Sequence, residues 1–149
     1  MLLNTDVTAK MQILKPTNAV FEAIVDPQKI GNFWFSSSSQ RWEQGKEVIL
    51  KYDEYHAEGV IKVLELKENK KIAFSWGEEH NEETIVTMIL KESDNGSTII
   101  EVNESGLKEE DPEVVNKMMG QKEGWVYMLS CLKCYVENDI TNMRASLIH

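Results

Sequence analysis

Between residues 7 and 14, Val7, Ala9, Met11 and Ile13 alternate with Thr8, Lys10 and Gln12. Period-two alternation sends the two sets to opposite faces, so the stretch predicts a half-buried β-strand. Pro16 ends it. Thr17 or Asn18 can cap the next element, where Ala19, Val20, Ala23 and Ile24 mark one face of a short helix. Asp26-Pro27 stops that helix and predicts a second over residues 27–33, because proline is tolerated in a first turn and not in an interior. The aromatic cluster Phe33-Trp34-Phe35 lies at its end, and Ser36 to Ser39 read as a polar loop.

Residues 41–106 hold about six further strand-like stretches, the first around Trp42. In the next, Val48, Leu50 and Tyr52 share one side. The stretch 56–66 is longer, and Gly59 inside it predicts a bulge or sharp bend. Glu68-Asn69-Lys70-Lys71 is a charged turn, after which Ile72, Phe74 and Trp76 alternate with Ala73 and Ser75. An acidic loop over residues 78–83 leads to Val86, Met88 and Leu90 on one face. Asp94-Asn95-Gly96 is a hairpin turn, since Asn-Gly supplies the positive φ values such turns need. The chain returns with Ile100 and Val102 inward, and Glu101 and Asn103 outward. Short strands joined by turns, with no helices between them, predict an antiparallel meander.

The last pattern is helical. Val115, Met118, Trp125, Leu129, Leu132, Val136 and Ile140 recur at spacings that share one helix face. Asp111-Pro112 is a start signal. A helix over residues 111–140 would be roughly 45 Å long, and one so long and one-sided needs a surface to lie on. Gly120 and Gly124 interrupt it at a cost of about 1 kcal/mol each relative to alanine, so close packing, a kink or a loop before Gly124 is expected there.

Composition narrows the picture. The 149 residues are the usual size of one domain. Folding a chain of this size buries about 68–70% of its surface. Sixteen basic residues against 25 acidic ones leave a net charge of −9. That argues against nucleic acid or an anionic membrane surface as partner, since both need a basic footprint. Met1-Leu2-Leu3 lacks a basic region and a long apolar run, so no signal peptide or membrane span is read, and two cysteines fit a reducing cytoplasm.

Three segments carry a resemblance to a known family. Ile13-Leu14-Lys15-Pro16, Val20-Phe21-Glu22-Ala23, Asp26-Pro27, Ile30 and Phe33-Trp34 form the first. Ile72-Ala73-Phe74-Ser75-Trp76 is the second, an F-x-W strand. Gly124-Trp125 with Leu129, Leu132 and Tyr135 is the third. Together they resemble the START-like, helix-grip superfamily, also called SRPBCC or birch-pollen-allergen-like. Within it they look like bacterial proteins similar to the heat-shock-protein-90 ATPase activator. The match spans essentially the whole chain. It implies a single START-like domain over residues 1–149 with an α+β helix-grip fold. A curved antiparallel sheet of about seven strands would grip a long C-terminal helix, with two short helices after the first strand. Relatives often hold lipids, sterols, polyketides or plant hormones between sheet and helix; in the activator family such a domain contacts the chaperone. Members often end the last strand with Thr-His-x-Gly, where this chain has Asn103-Glu104-Ser105-Gly106. Glu104 stands at the His position, so any ligand contact of that His is in question here.

Against that frame of sheet and helix, Trp34, Tyr52, Trp76 and Trp125 with Met88 and Met128 are the expected walls of an apolar cavity, the other reading being plain core. Met118, Met119 and Met128 add deformable surface along the helix. Glu104 shares the strand parity of Ile100 and Val102, which points it toward the cavity as an anchor for a ligand hydroxyl or amine; the alternative is a strand-end residue turned to solvent. Cys131-x-x-Cys134 lies deep in a helix, away from the N-terminus where a redox motif would sit, and reads as packing thiols. Asp53 and Glu54 read as exposed on opposite sides of a strand. No triad, phosphate loop, zinc motif or cofactor motif occurs. The function expected is a non-enzymatic binding module for a small hydrophobic molecule. The alternatives are a chaperone-interacting, ATPase-activator-like protein and a START-like cyclase or hydrolase.

Overall fold

The computed structural model describes residues 4–77 and 83–148. The acidic loop expected at 78–83 lies outside them except for Glu83. Among the described residues one antiparallel sheet of seven strands curves around a long helix. The strands are β1 (Val7–Ile13), β2 (Ser37–Ser38), β3 (Glu47–Tyr52), β4 (Ala57–Lys67), β5 (Lys71–Trp76), β6 (Thr84–Glu92) and β7 (Thr98–Ser105). Strands β2 to β7 form the expected meander, and β7 then pairs with β1, giving the order β1-β7-β6-β5-β4-β3-β2. The β6–β7 turn carries Asn95 at φ 62° and Gly96 at φ 73°, the left-handed pair that Asn-Gly favours.

Helix α1 (Thr17–Val25) follows β1 as expected. The expected second helix over 27–33 is only a turn and a short 3-10 segment, Ile30–Asn32. Ile30 and Phe33 are fully buried, so packing of these two side chains shapes the segment more than helix periodicity does. Trp42 is also not in a strand. It is anchored by its N–H to the Val25 carbonyl at 3.1 Å, and its ring packs edge-on to Phe74 with centroids 5.2 Å apart. The serines read as loop supply the short edge strand β2 instead, paired with Lys51 and Leu50.

Helix α2 runs unbroken from Val114 to Asn138, about 37 Å at 1.5 Å per residue. It starts three residues after Asp111, whose carboxylate accepts the Glu113 N–H at 2.8 Å and holds the turn ahead of the helix. It ends at Asp139, left-handed at φ 55°, which leaves Ile140 outside. Gly120 and Gly124 neither kink nor break it, because each remains inside the hydrogen-bonded ladder. Trp125, Met128, Leu129, Cys131 and Leu132 are buried against the sheet and α1. Before Trp125, by contrast, Val115 and Met119 are exposed and Met118 is half-buried. Only the C-terminal half of α2 packs on a filled core.

Strand β1 is a sheet edge, and α2 covers it. Lys122 Nζ donates to the Thr8 carbonyl, and Lys133 Nζ to that of Gln12 at 2.8 Å. The Glu137 carboxylate accepts the Leu14 N–H at 2.7 Å. Thr8, Gln12 and Leu14 share one parity along β1 and the residue after it, so these side chains bond backbone groups on one side of the strand and cover part of the edge against pairing with another chain. No helix of the described residues is long and apolar enough to cross a membrane.

A two-chambered candidate ligand site

The floor of the site is where three strand ends meet α2. Trp76 ends β5, Thr84 opens β6 opposite it, and Glu104 lies next to the end of β7. Glu104 keeps the inward parity of Ile100 and Val102 and is 1% exposed, so it does not turn to solvent. Its carboxylate accepts hydrogen bonds from Trp125 Nε1 at 2.8 Å, Thr84 Oγ1 at 2.6 Å, Trp76 Nε1 at 3.1 Å and Gln121 Nε2 at 2.9 Å. The two oxygens offer about four lone-pair positions, and four side chains use them. A polar group taken out of water needs partners of this kind. Gln121 and Trp125 are one helical turn apart, so one face of α2 supplies two of the four donors.

Above this floor the packing opens. A cavity of about 1110 Å³ lies between the sheet and the N-terminal half of α2, with Phe35, Leu50, Ile61, Leu107, Gly120 and Gln121 on its walls. A smaller chamber of about 200 Å³ adjoins it toward the C-terminal tail, walled by Trp34, Trp125, Tyr127, Met128 and Arg144 among others. Tyr52, Trp76 and Gln121 line both and form the partition. The outer cavity exists partly because side chains are missing. Ala57 and Gly59 take inward positions on β4, and beyond the adjoining backbone no atom lies within 4 Å of where a Cβ would stand on Gly59 or Gly120. The expected bulge at Gly59 is absent, as it pairs in register with Leu50; the register shift falls instead between Val63 and Glu65. The cavity beneath Gly120 also accounts for the exposed first turns of α2.

The rings of the inner chamber are in mutual contact. Trp76 stacks on Trp125 with centroids 5.2 Å apart, and Trp34 meets Trp125 edge-on at 5.7 Å. Of the residues picked out in the sequence, Trp34, Tyr52, Trp76, Trp125 and Met128 gather on this chamber, while Glu104, Tyr52 and Trp76 face the outer one. Met88 lies on neither wall. It is fully buried between its register partners Ile72 and Val102, where the inward stripe of β6 meets filled core.

Arg144 was not singled out by any sequence pattern, yet it closes the inner chamber. The tail beyond α2 turns back over the sheet, and Arg144 Nε donates to the Trp34 carbonyl at 2.7 Å. Its guanidinium pairs with Glu54, donates to Ser36 Oγ at 3.0 Å and lies 4.9 Å from the Tyr52 ring centroid. Tyr52 Oη donates to the Arg144 carbonyl at 2.7 Å, and Tyr127 Oη to that of Met143 at 2.6 Å. Glu54 is therefore not an idle strand residue. It sits in a 3-10 turn, Asp53–Tyr55, and the Arg144 hydrogen bonds bring its carboxyl from an ordinary 4.5 down to about 2. Burial pushes the Tyr52 hydroxyl and the Cys131 thiol upward. Both cysteines are free thiols.

The family model for "Activator of Hsp90 ATPase homolog 1-like protein" matches residues 15–137. The crystal structure of the protein SSP2350 from Staphylococcus saprophyticus is 48% identical, covers 91% of this chain and 94% of its own, and superposes with a TM-score of 0.80. The solution structure of BH1534 from Bacillus halodurans is 23% identical, with 92% and 100% covered and a TM-score of 0.77. The solution structure of the Aha1 dimer from Colwellia psychrerythraea is 15% identical, with 90% and 97% covered and a TM-score of 0.76. The last two speak to the fold alone. No curated protein matches the sequence.

Proposed function

This chain belongs to the Activator of Hsp90 ATPase homolog 1-like family, and on that premise we propose that it is a binding module whose sheet-helix cavity takes a small hydrophobic molecule. The observation that carries the reading is the cavity of about 1110 Å³ beneath the glycine-bearing half of α2. Concave, mostly apolar sites of several hundred Å³ with a few fixed polar groups are the usual form of small-molecule sites. The reading takes the protein as cytoplasmic, in keeping with its free thiols. Binding rather than turnover suits Glu104, whose acceptors are engaged by wall residues.

The test is mass spectrometry of organic extracts of the purified protein, with thermal shifts against a library of neutral hydrophobic compounds. A ligand at 100 times its Kd adds about 2.7 kcal/mol of stability, a shift of several degrees. Empty extracts and an unmoved Tm across the library would overturn the reading.

Family membership also supports a second reading, a chaperone-interacting protein that activates an ATPase. Its test is the ATPase rate of the host's own chaperone with and without this protein. An unchanged rate and no co-purification would remove it.

A further inference from the structure

We infer that the inner chamber is a separate subsite for a neutral aromatic end of the ligand, one ring or two fused rings, while the outer cavity takes the rest of the molecule. This rests on the binding-module reading. Size is the first argument. The chamber measures about 200 Å³. An apolar cavity of about 150 Å³ accepts benzene, so a fused pair of rings is near the upper limit. A sterol nucleus or a bulky branched group belongs in the outer cavity, more than five times larger at about 1110 Å³.

Wall chemistry is the second argument. Trp34, Tyr52, Trp76, Trp125 and Tyr127 present aromatic faces and edges, which favour another ring in offset or edge-to-face contact at 4.5–7 Å. Charge is the third. Arg144 is the charged wall residue of this chamber among the described residues, and its guanidinium is already engaged by Glu54, Ser36, the Trp34 carbonyl and the Tyr52 ring. An anionic end would have to displace Glu54 from Arg144. A cationic end would meet a guanidinium already in place over Tyr52. Only a neutral end enters without breaking either contact. Connection is the fourth: Tyr52, Trp76 and Gln121 belong to both chambers, so a molecule bridging them passes directly over these residues.

The chambers can be blocked separately. Gly124 lines the inner one and Gly120 the outer, and each has open space where a side chain would begin. Leu147 lines the inner chamber from the tail, so Leu147→Trp narrows it without touching α2. The probes are 2-naphthol, naphthalene-2-sulfonate, 2-naphthylmethylammonium and the neutral chain monolaurin. Binding is followed through the indole N–H resonances of Trp76 and Trp125. The expected result is that 2-naphthol moves the Trp125 resonance, with the two charged probes about tenfold weaker or more. Gly124→Leu and Leu147→Trp each weaken 2-naphthol by about tenfold or more and spare monolaurin, whereas Gly120→Leu does the reverse. Equal binding of neutral and charged naphthalenes, or 2-naphthol binding untouched by both inner variants, overturns the subsite while monolaurin still supports the binding module. Absence of binding by every probe overturns both.

Discussion

Glu104 holds the site together through single atoms. Trp76, Trp125 and Gln121 can only donate through the nitrogens they direct at it, so each needs an acceptor there. Glu104→Gln replaces one acceptor oxygen by a donor and leaves at least one buried N–H unpaired. The expected loss is about 2–3 kcal/mol in urea denaturation, together with altered tryptophan fluorescence, and unchanged stability would show that the network does not hold the walls. The position was readable from strand parity. Its role was not, because the four donors come from β5, β6 and α2, at sequence separations of 17 to 28 residues. Cys131 illustrates the opposite case. A thiol deep in an amphipathic helix reads as packing, and burial raises its pKa. Alkylation at pH 8 should be about tenfold slower or more in the native protein than in urea, since the thiolate is the reactive form. Native alkylation as fast as in urea would contradict this.

At the scale of elements, α2 is a helix with two jobs. Its C-terminal half packs and caps β1; its N-terminal half roofs a cavity. The sequence shows Gly120 and Gly124 as interruptions, and local propensity alone predicts a kink or a loop. The helix nevertheless stays continuous from Val114 to Asn138, and the missing side chains become space. Since a Cβ at either position meets nothing within 4 Å, Gly120→Ala and Gly124→Ala should each stabilise the protein by up to about 1 kcal/mol in urea denaturation. A loss of stability at either position would mean that the glycine is needed by the fold rather than left for the cavity. The same argument applies to Gly59. A glycine in a strand suggested a bulge, but register shows that it faces inward opposite Leu50 and makes room.

For the molecule as a whole, the tail decides how the site is closed. Residues 143–147 fold back across the open end of the grip, and the Glu54–Arg144 pair ties them to the turn after β3. Glu54 has its folded-state pKa lowered from 4.5 to about 2, so its contribution is complete above 4.5 and is lost as pH falls toward 2. The Arg144 amide and side-chain resonances should therefore shift to tail-released values between those limits. In Glu54→Gln that transition should be missing, and a wild-type tail unaffected by acid down to pH 2 would remove Glu54 as the latch. The net charge of −9 is a property of the whole surface and bears on solubility rather than on the fold.

Periodicity alone determined the meander, the first helix, the long final helix and most inward-facing residues, because alternation and helical spacing are set by local geometry and by which side chains avoid water. Three motifs in order added the helix-grip architecture. What only the tertiary structure decided was where apolar residues meet and where they fail to meet. Met88 and Trp76 carry the same inward signature in neighbouring strands, yet one is sealed in core and the other lines both chambers. Arg144 carries no periodic signal at all and closes the inner chamber through partners 90 to 110 residues away. A pattern reports which face a side chain takes; a cavity depends on the volumes opposite it, and those volumes come from distant stretches of the chain.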